Sequence, residues 1–360
     1  MARQDRMTSP ERMADLLGGR PIDRVPLFLF AKGFSAVNVG YPVASVVNDP
    51  EKSFRAQVWT QEMYGHDEEP RLSYAIYGGW EFGGEVKFPT GEFAQAPSIS
   101  RYPVQSEADV EKLKLPDVKT AGILPLMMEF CRLQEKAGRP IVPSFESPFT
   151  TAGNICGVST LCRWMLKRPE LVHRLLRLAT DHVLEMMRYW VETFGAERLR
   201  PNEGAPTESN NMISAKHFAE FAFPYVKELH GKLLAMGVKH IASHICGEQN
   251  ANLPYWAQVP MGDPGIVSFG HEVDLATAVK YFGDTCVIAG NIQPAVIQTG
   301  TPEQVYQLCG QALAKAKYAP RGFILMPGCE LSPLTPPHNV YMMKKAVTDF
   351  GWYEAVPSDV

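Results

Sequence analysis

The feature that most constrains the fold is a repeated alternation of strand-like and helix-like segments after about residue 120. Short apolar runs such as KHIASHICG, TCVIAGN and GFILMPG are separated by amphipathic stretches such as DLATAVKYFG and TPEQVYQLCGQALAKAK. This alternation is typical of a parallel sheet with helices packed outside it. No glycine-rich phosphate-binding fingerprint follows a strand, which disfavours an open nucleotide-binding sheet. The pattern therefore predicts an α/β fold, a (β/α)8 TIM barrel.

The N-terminal third is less regular. SPERMADLLGGR predicts a helix that Ser9 caps and Pro10 begins, and IDRVPLFLF predicts a strand. Residues 65–105 are rich in glycine, proline and aromatic residues, which indicates short hairpins or a covering loop. Because no linker divides the chain, we expect a single barrel domain over 1–360. Residues 1–120 would form a helical and hairpin elaboration with the first barrel units, and 121–360 the regular units that carry the site.

The bulk composition excludes several classes of partner. There are 35 Lys and Arg against 39 Asp and Glu, a net charge of -4, so no nucleic-acid partner is expected. No apolar run is long enough for a membrane span, and MARQDRMTSPERMADLL lacks an apolar signal core, so we expect a cytoplasmic protein with no membrane partner. The seven cysteines are scattered and odd in number, which does not indicate a disulfide framework.

Chemically capable residues recur where the predicted strands end. They are Glu146, Glu203, the pair His244 and Cys246, the pair His271 and Glu272, Asn291, and Cys329. Active sites of (β/α)8 barrels lie at the carboxyl ends of the strands. We therefore expect these residues to line one mouth.

A histidine and two cysteines within this set predict a metal site. His244 and Cys246 stand at i and i+2, and alternate side chains of a strand point to the same face. Cys329 follows another strand, in MPGCEL. Three ligands of this kind suit zinc and leave its fourth position open. A substrate thiol bound in that position would be deprotonated and would remain a nucleophile.

The other strand-end residues each have a functional and a structural interpretation. Glu203 and Glu146 are candidates for proton transfer, and Glu203 also for a fourth ligand at rest, but either can be a loop carboxylate that accepts backbone N–H groups. Asn291 can orient an acceptor through its amide, or form the turn before a helix. His271, beside Glu272, can hold substrate at the rim or belong to an exposed loop.

The chain resembles the uroporphyrinogen decarboxylase superfamily, in its branch of zinc-dependent corrinoid methyltransferases. The resemblance lies in ERMADLLGGRPIDRVPL, KHIASHICG, AGNIQPAVIQTGTPEQV and GFILMPGCELSPLTPPHNV. It implies zinc held by His244, Cys246 and Cys329. It also implies methyl transfer from methylcobalamin to coenzyme M or tetrahydrofolate. Since no D-x-H-x-x-G cobalamin motif is found, we expect the corrinoid to arrive on a partner protein.

Two alternatives remain open on the sequence alone. Members of the superfamily that decarboxylate porphyrinogens carry an arginine-rich R-Q-A-G-R motif near the N-terminus, whereas the corresponding stretch here reads FLFAKGFSA, with only Lys32 as a cation. Decarboxylation is therefore disfavoured but remains an alternative. The other alternative is a non-catalytic binding protein in which a fourth protein ligand closes a stabilising zinc site.

Overall fold

A computed structural model of the chain describes residues 4–93 and 96–354. Its strands are β1 (Glu85–Lys87), β2 (Ser98–Arg101), β3 (Ser144–Glu146), β4 (Asn202–Gly204), β5 (Ala242–Ile245), β6 (Gly265–Phe269), β7 (Cys286–Ile292) and β8 (Phe323–Pro327). Strands β3 to β8 form a parallel sheet in sequence order, and β1 pairs with β2 antiparallel. Parallel strands that follow one another in order are the arrangement that a barrel requires.

Helices separate the strands. They are α1 (Ser9–Leu17), α2 (Lys32–Asn38), α3 (Pro50–Tyr64), α4 (Glu107–Lys112), α5 (Leu124–Lys136), α6 (Pro148–Cys156), α7 (Val158–Lys167), α8 (Pro169–Phe194), α9 (Ala215–His217), α10 (Phe223–Ala235), α11 (Leu253–Trp256), α12 (Leu275–Phe282), α13 (Pro294–Thr299), α14 (Pro302–Ala316) and α15 (Pro337–Phe350). Among the described residues, no helix is both long and apolar enough to cross a membrane.

Two extended segments, 24–30 and 66–73, continue the ring of strands beyond β8. Phe28 N–H donates to the Leu325 carbonyl at 2.9 Å, and Leu325 N–H donates to the Pro26 carbonyl at 3.0 Å. On the other side, Asp67 N–H donates to the Leu27 carbonyl at 2.7 Å. The strand predicted at IDRVPLFLF is therefore present as an irregular barrel strand, and the predicted barrel class is confirmed.

The strand register decides which side chains face the barrel interior. Glu146 pairs with Gly204, Gly204 with His244, and His244 with Ser268, so these four positions share the inward face. Further inward positions form an apolar cluster with α1. Its members include Leu16, Phe28, Phe30, Ile266, Val287, Ala289, Ile324 and Met326. Helix α1 therefore closes the amino end of the barrel, and polar side chains collect toward the other end.

The N-terminal elaboration contains the helices and the hairpin that its composition indicates. The β1–β2 pair lies within 65–105, where hairpins or a covering loop were predicted. The cap of α1 was predicted one residue too late. Thr8, not Ser9, is the N-cap, because its side chain and that of Glu11 form a reciprocal capping box.

Candidate metal centre

His244, Cys246 and Cys329 meet at the carboxyl end of the barrel. One potential ligand atom from each residue lies within 4.8 Å of the other two. His244 is on β5, Cys246 follows that strand, and Cys329 follows β8. Glycine at position 328 lets the segment that carries Cys329 pass close to the loop after β6, because a Cβ atom there would stand 2.9 Å from the backbone nitrogen of His271. The three residues, which were predicted to share one mouth because each follows or ends a strand, therefore lie close together in the structure.

The His244 ring is oriented for a ligand at Nε2. Its Nδ1 lies 2.9 Å from the Ser268 hydroxyl on the neighbouring strand, while Nε2 is buried and has no hydrogen-bond partner. A metal-binding histidine usually uses its second ring nitrogen in this way to fix the tautomer. Buried polar atoms without partners are costly. One orphan imidazole nitrogen beside two sulfur atoms is therefore a donor set that fits zinc.

The two cysteines favour one thiolate between them even without a cation. The adjacent Cys246 thiol lowers the pKa of Cys329 far below its usual range; burial opposes this effect and His244 adds to it. The pKa of Cys246 is raised in turn, first by its contact with Cys329 and then by burial. This pocket is therefore prepared for sulfur to bind a cation as thiolate.

Glu146 lies on the inward face next to the ligands. It is 5% exposed, and its Oε2 has no hydrogen-bond partner. Gly204, one strand along, leaves room for it, because a Cβ atom there would collide with this carboxyl group. Burial and then Glu208 raise the pKa of Glu146 well above its usual range; Lys32 acts in the opposite direction. Glu146 can therefore hold a proton beside the three clustered residues.

Glu203 occupies a different environment. It pairs in register with Ser243, one position away from the Gly204–His244 pair, and so points to the outer face of the sheet. It is fully buried there, with Oε2 accepting from the Ser243 hydroxyl at 2.8 Å and lying 2.9 Å from His230 Nε2. These contacts hold Oε2 of Glu203 between β4 and α10, whereas Oε1 is buried without a hydrogen-bond partner, and Glu203 is not among the three clustered residues.

Asn291 and His271 lie on another wall of the mouth. The Asn291 amide donates to the carbonyls of Gly270 and Val273 at 2.9 and 2.6 Å, which fixes the loop after β6. His271 is partly exposed, with Nδ1 3.4 Å from Glu272 Oε2. Both line a cavity of about 370 Å³ that also contains Lys315 but none of the three ligands. Any contact with substrate would therefore be made beside the metal centre.

Three residues of the site were not identified from the sequence. Ser268 contacts His244, Phe30 packs its ring at 5.2 Å from the same imidazole, and buried Glu208 accepts hydrogen bonds from Ser147 and Thr150. Ser268 follows from the register of β5 and β6, which the sequence does not display. The replacement of the arginine-rich motif by FLFAKGFSA was the available signal for Phe30.

A (β/α)8 barrel that gathers one imidazole and two thiols at its mouth defines the class of protein. The family model for uroporphyrinogen decarboxylase (URO-D) matches residues 8–350. The chain therefore belongs to the URO-D family, as the sequence predicted.

Individual relatives place the chain within that family. It is 28% identical over 354 residues to the methylcobamide:CoM methyltransferase MtbA of Methanosarcina acetivorans, covering 95% of this chain and 98% of that protein. It is 24% identical over 362 residues to the uroporphyrinogen decarboxylase of Xanthomonas oryzae pv. oryzae, with coverage of 95% and 98%. A solved methyltransferase structure from Methanosarcina mazei has a TM-score of 0.81 at 24% identity, covering 96% of this chain and 99% of that chain, and supports the fold. The predicted similarity to the corrinoid methyltransferase branch is thus confirmed.

Proposed function

We propose that this protein transfers a methyl group from a methylated corrinoid, carried by a partner protein, to a small acceptor at a zinc site. The observation that carries the proposal is the His244, Cys246 and Cys329 cluster at the barrel mouth. Similarity to methylcobamide:CoM methyltransferases over nearly the whole chain supports the same conclusion.

Zinc is the metal that this donor set suits, because thiolate and imidazole together favour it over magnesium or calcium. Bound by three protein ligands, zinc would keep one position open and deprotonate a thiol that binds there. The protein's own contribution is orientation. Ser268 holds His244 Nδ1, and both cysteines are partly buried. The ligands are therefore set before the acceptor arrives.

Glu146 is the proposed proton carrier. Its buried Oε2 has no hydrogen-bond partner and its side chain is on the same inward face as His244, while burial raises its pKa well above the usual range, so that the group retains a proton that it can pass on. Glu203 was the other candidate. Its contacts with Ser243 and His230 support an indirect role, in which it fixes β4 behind the site.

The acceptor and the corrinoid must both reach the mouth. We assign the cavity with Asn291 and His271 to contact with one of them, since its polar and charged lining adjoins the strand ends that carry the ligands. A corrinoid bound to its own protein would approach from the open side. The acceptor is best assigned as a thiol such as coenzyme M, because activating a thiol is the clearest service of this metal centre. Tetrahydrofolate is the second acceptor to test.

Porphyrinogen decarboxylation is disfavoured because Lys32 is already paired within the protein. Binding several carboxylates requires free cationic side chains. Lys32, the cation of FLFAKGFSA, is 9% exposed and already pairs with Glu330 at 3.1 Å and with the Ser73 carbonyl. It is therefore not available to bind a substrate carboxylate without losing these partners.

The proposal is tested by mixing the zinc-loaded protein with methylcobalamin and either coenzyme M or tetrahydrofolate. We expect methylated coenzyme M to accumulate while methylcobalamin is consumed, and the reaction to stop after chelation and resume when zinc returns. Porphyrinogen decarboxylation that survives complete metal removal would overturn the proposal. A protein with no activity on any acceptor, but destabilised by chelation, would instead be a zinc-stabilised binding protein.

A further inference from the structure

We propose that Phe30 is a positioning residue that fixes the His244 imidazole and links it to the segment carrying Cys329. This inference rests on the metal site of the proposed function. It assigns a role to the segment in which this chain has FLFAKGFSA.

The backbone of Phe30 is unusual. With φ at 45°, it is the only residue other than glycine, within 4–93 and 96–354, whose φ is positive. A bulky side chain in this left-handed region costs free energy and persists only where its surroundings enforce it. Such outliers concentrate at functional sites, and this one lies against a metal ligand.

Three hydrogen bonds, made with Glu68 and Leu331, enforce the conformation. The backbone N–H groups of Leu29 and Phe30 both donate to Glu68 Oε2, at 3.1 and 2.6 Å. On the other side, the Phe30 carbonyl accepts from Leu331 N–H at 2.9 Å. Leu331 is two residues beyond Cys329, so the backbone of Phe30 is tied directly to the segment that supplies the third ligand.

The ring of Phe30 is held as firmly as its backbone. The guanidinium of Arg71 lies over it at 4.6 Å, and Arg71 is itself paired with Glu68. The ring meets the His244 imidazole at 5.2 Å with an interplanar angle of 87°. Ser268 contacts only one atom of that imidazole, Nδ1, through a single hydrogen bond. The Phe30 contact restrains the plane of the ring, and the two contacts together aim Nε2.

Filling the barrel does not explain this arrangement. Phe28, two residues earlier on the same inward face, packs in the same apolar cluster. It has no positive φ and is not in ring contact with His244. An apolar ring at this level of the barrel therefore does not require a left-handed backbone. Contact with His244 and with the Cys329 segment distinguishes Phe30.

The test compares Phe30→Leu with the matched control Phe28→Leu. Zinc affinity is measured by competition with a chelator, beside thermal unfolding of the metal-free proteins. We expect Phe30→Leu to weaken zinc binding by about tenfold or more, the effect of removing residues that orient metal ligands. Phe28→Leu should lower the thermal stability of the metal-free protein about as much as Phe30→Leu does. Its zinc affinity should stay within about twofold of that of the parent protein.

A second variant and a spectrum keep the test decisive. Phe30→Met preserves most of the side-chain volume and serves if the leucine variant does not fold. In the cobalt-substituted protein, both Phe30 variants should keep thiolate-to-cobalt absorption but shift the ligand-field bands, since only the imidazole is displaced. Equal zinc affinity in the parent, a folded Phe30 variant and Phe28→Leu would overturn the role of Phe30. Unchanged affinity in His244→Ala would instead overturn the metal site itself.

Discussion

Two groups of buried polar side chains, one at each end of the barrel, differ in whether their atoms are paired. At the amino end, Arg12 and Arg24 are each 1% exposed, yet both are fully occupied. Arg12 pairs with Asp23 at 2.7 Å and with Asp67 at 2.6 Å. Arg24 pairs with Asp67 at 2.8 Å and with Asp5 at 2.7 Å. Although burial opposes it, Arg12 lowers the pKa of Asp23 to about 2.

At the carboxyl end, polar atoms are left without partners. His244 Nε2 and Glu146 Oε2 are both buried and unsatisfied. Burial also raises the pKa of nearby Glu208 to about 7. Closed networks stabilise a fold, whereas unsatisfied groups are maintained where they bind or react. The comparison therefore assigns stability to one end of the barrel and chemistry to the other.

The largest expected effect is a loss of activity on substitution of a cysteine at the barrel mouth. Cys329→Ser should lower methyl transfer by roughly 10³-fold, about 4 kcal/mol, because one of three metal ligands is lost. The free energy of unfolding of the metal-free protein should change little. Turnover and urea unfolding of the same preparation measure both. A Cys329→Ser protein that is unstable but active per folded molecule would remove the distinction between the two ends.

The reciprocal change is made at the amino end. Arg24→Met should lower the free energy of unfolding by about 3–5 kcal/mol, because Asp67 and Asp5 lose a buried partner. Activity per folded molecule should be unchanged below the unfolding transition. Lys344 is less buried than Arg24, so Lys344→Met provides the control variant. Arg24→Met that leaves stability intact would show that this network contributes no net stability.

Buried acids at the mouth should make stability fall as the pH rises. Above pH 4.5 an unfolded Glu208 ionises, whereas the folded protein retains its proton until about pH 7. The unfolded state then binds fewer protons, so this group costs stability across that window, up to about 3 kcal/mol. Glu208→Gln should flatten the decline in unfolding free energy between these pH values. An identical pH profile in parent and variant would contradict the raised pKa.

The smallest expected effect is a difference between substitutions of two carboxylates on neighbouring strands, one expected to lower kcat and the other to lower stability. Glu146→Gln keeps the shape of a neutral acid but cannot exchange a proton, and should lower kcat by about 10²-fold without loss of stability. Glu203→Gln weakens the contacts with His230 and Ser243, and should lower stability more than kcat. Steady-state kinetics and thermal melts of both variants provide the comparison. The reverse pattern would assign the proton to Glu203.

The sequence predicts the barrel and the clustering of the three candidate metal ligands, because both depend on local patterns. Alternation identified the strands, and their ends placed His244, Cys246 and Cys329 at one mouth. Which side chains of β4 point into the barrel was not predictable. A strand of three residues has no clear period, and a shift of one position exchanges Glu203 for Gly204 on the inward side.

Long-range contacts account for what else the sequence did not reveal. The left-handed backbone of Phe30 is enforced by Glu68 and Leu331, which lie far from it along the chain. The partner of His244 on β6 depends on how two strands align. Propensity and spacing carry no information about either contact, so both become visible only when the barrel is assembled.

X-ray absorption at the zinc edge tests the central claim most directly. The zinc-loaded protein should show two sulfur ligands at about 2.3 Å together with imidazole nitrogen. Addition of coenzyme M should raise the sulfur count to three, as a thiol enters the open position. A spectrum with fewer than two sulfurs, or one in which Cys246→Ser and Cys329→Ser leave the sulfur count unchanged, would contradict the assignment of these side chains as the metal centre.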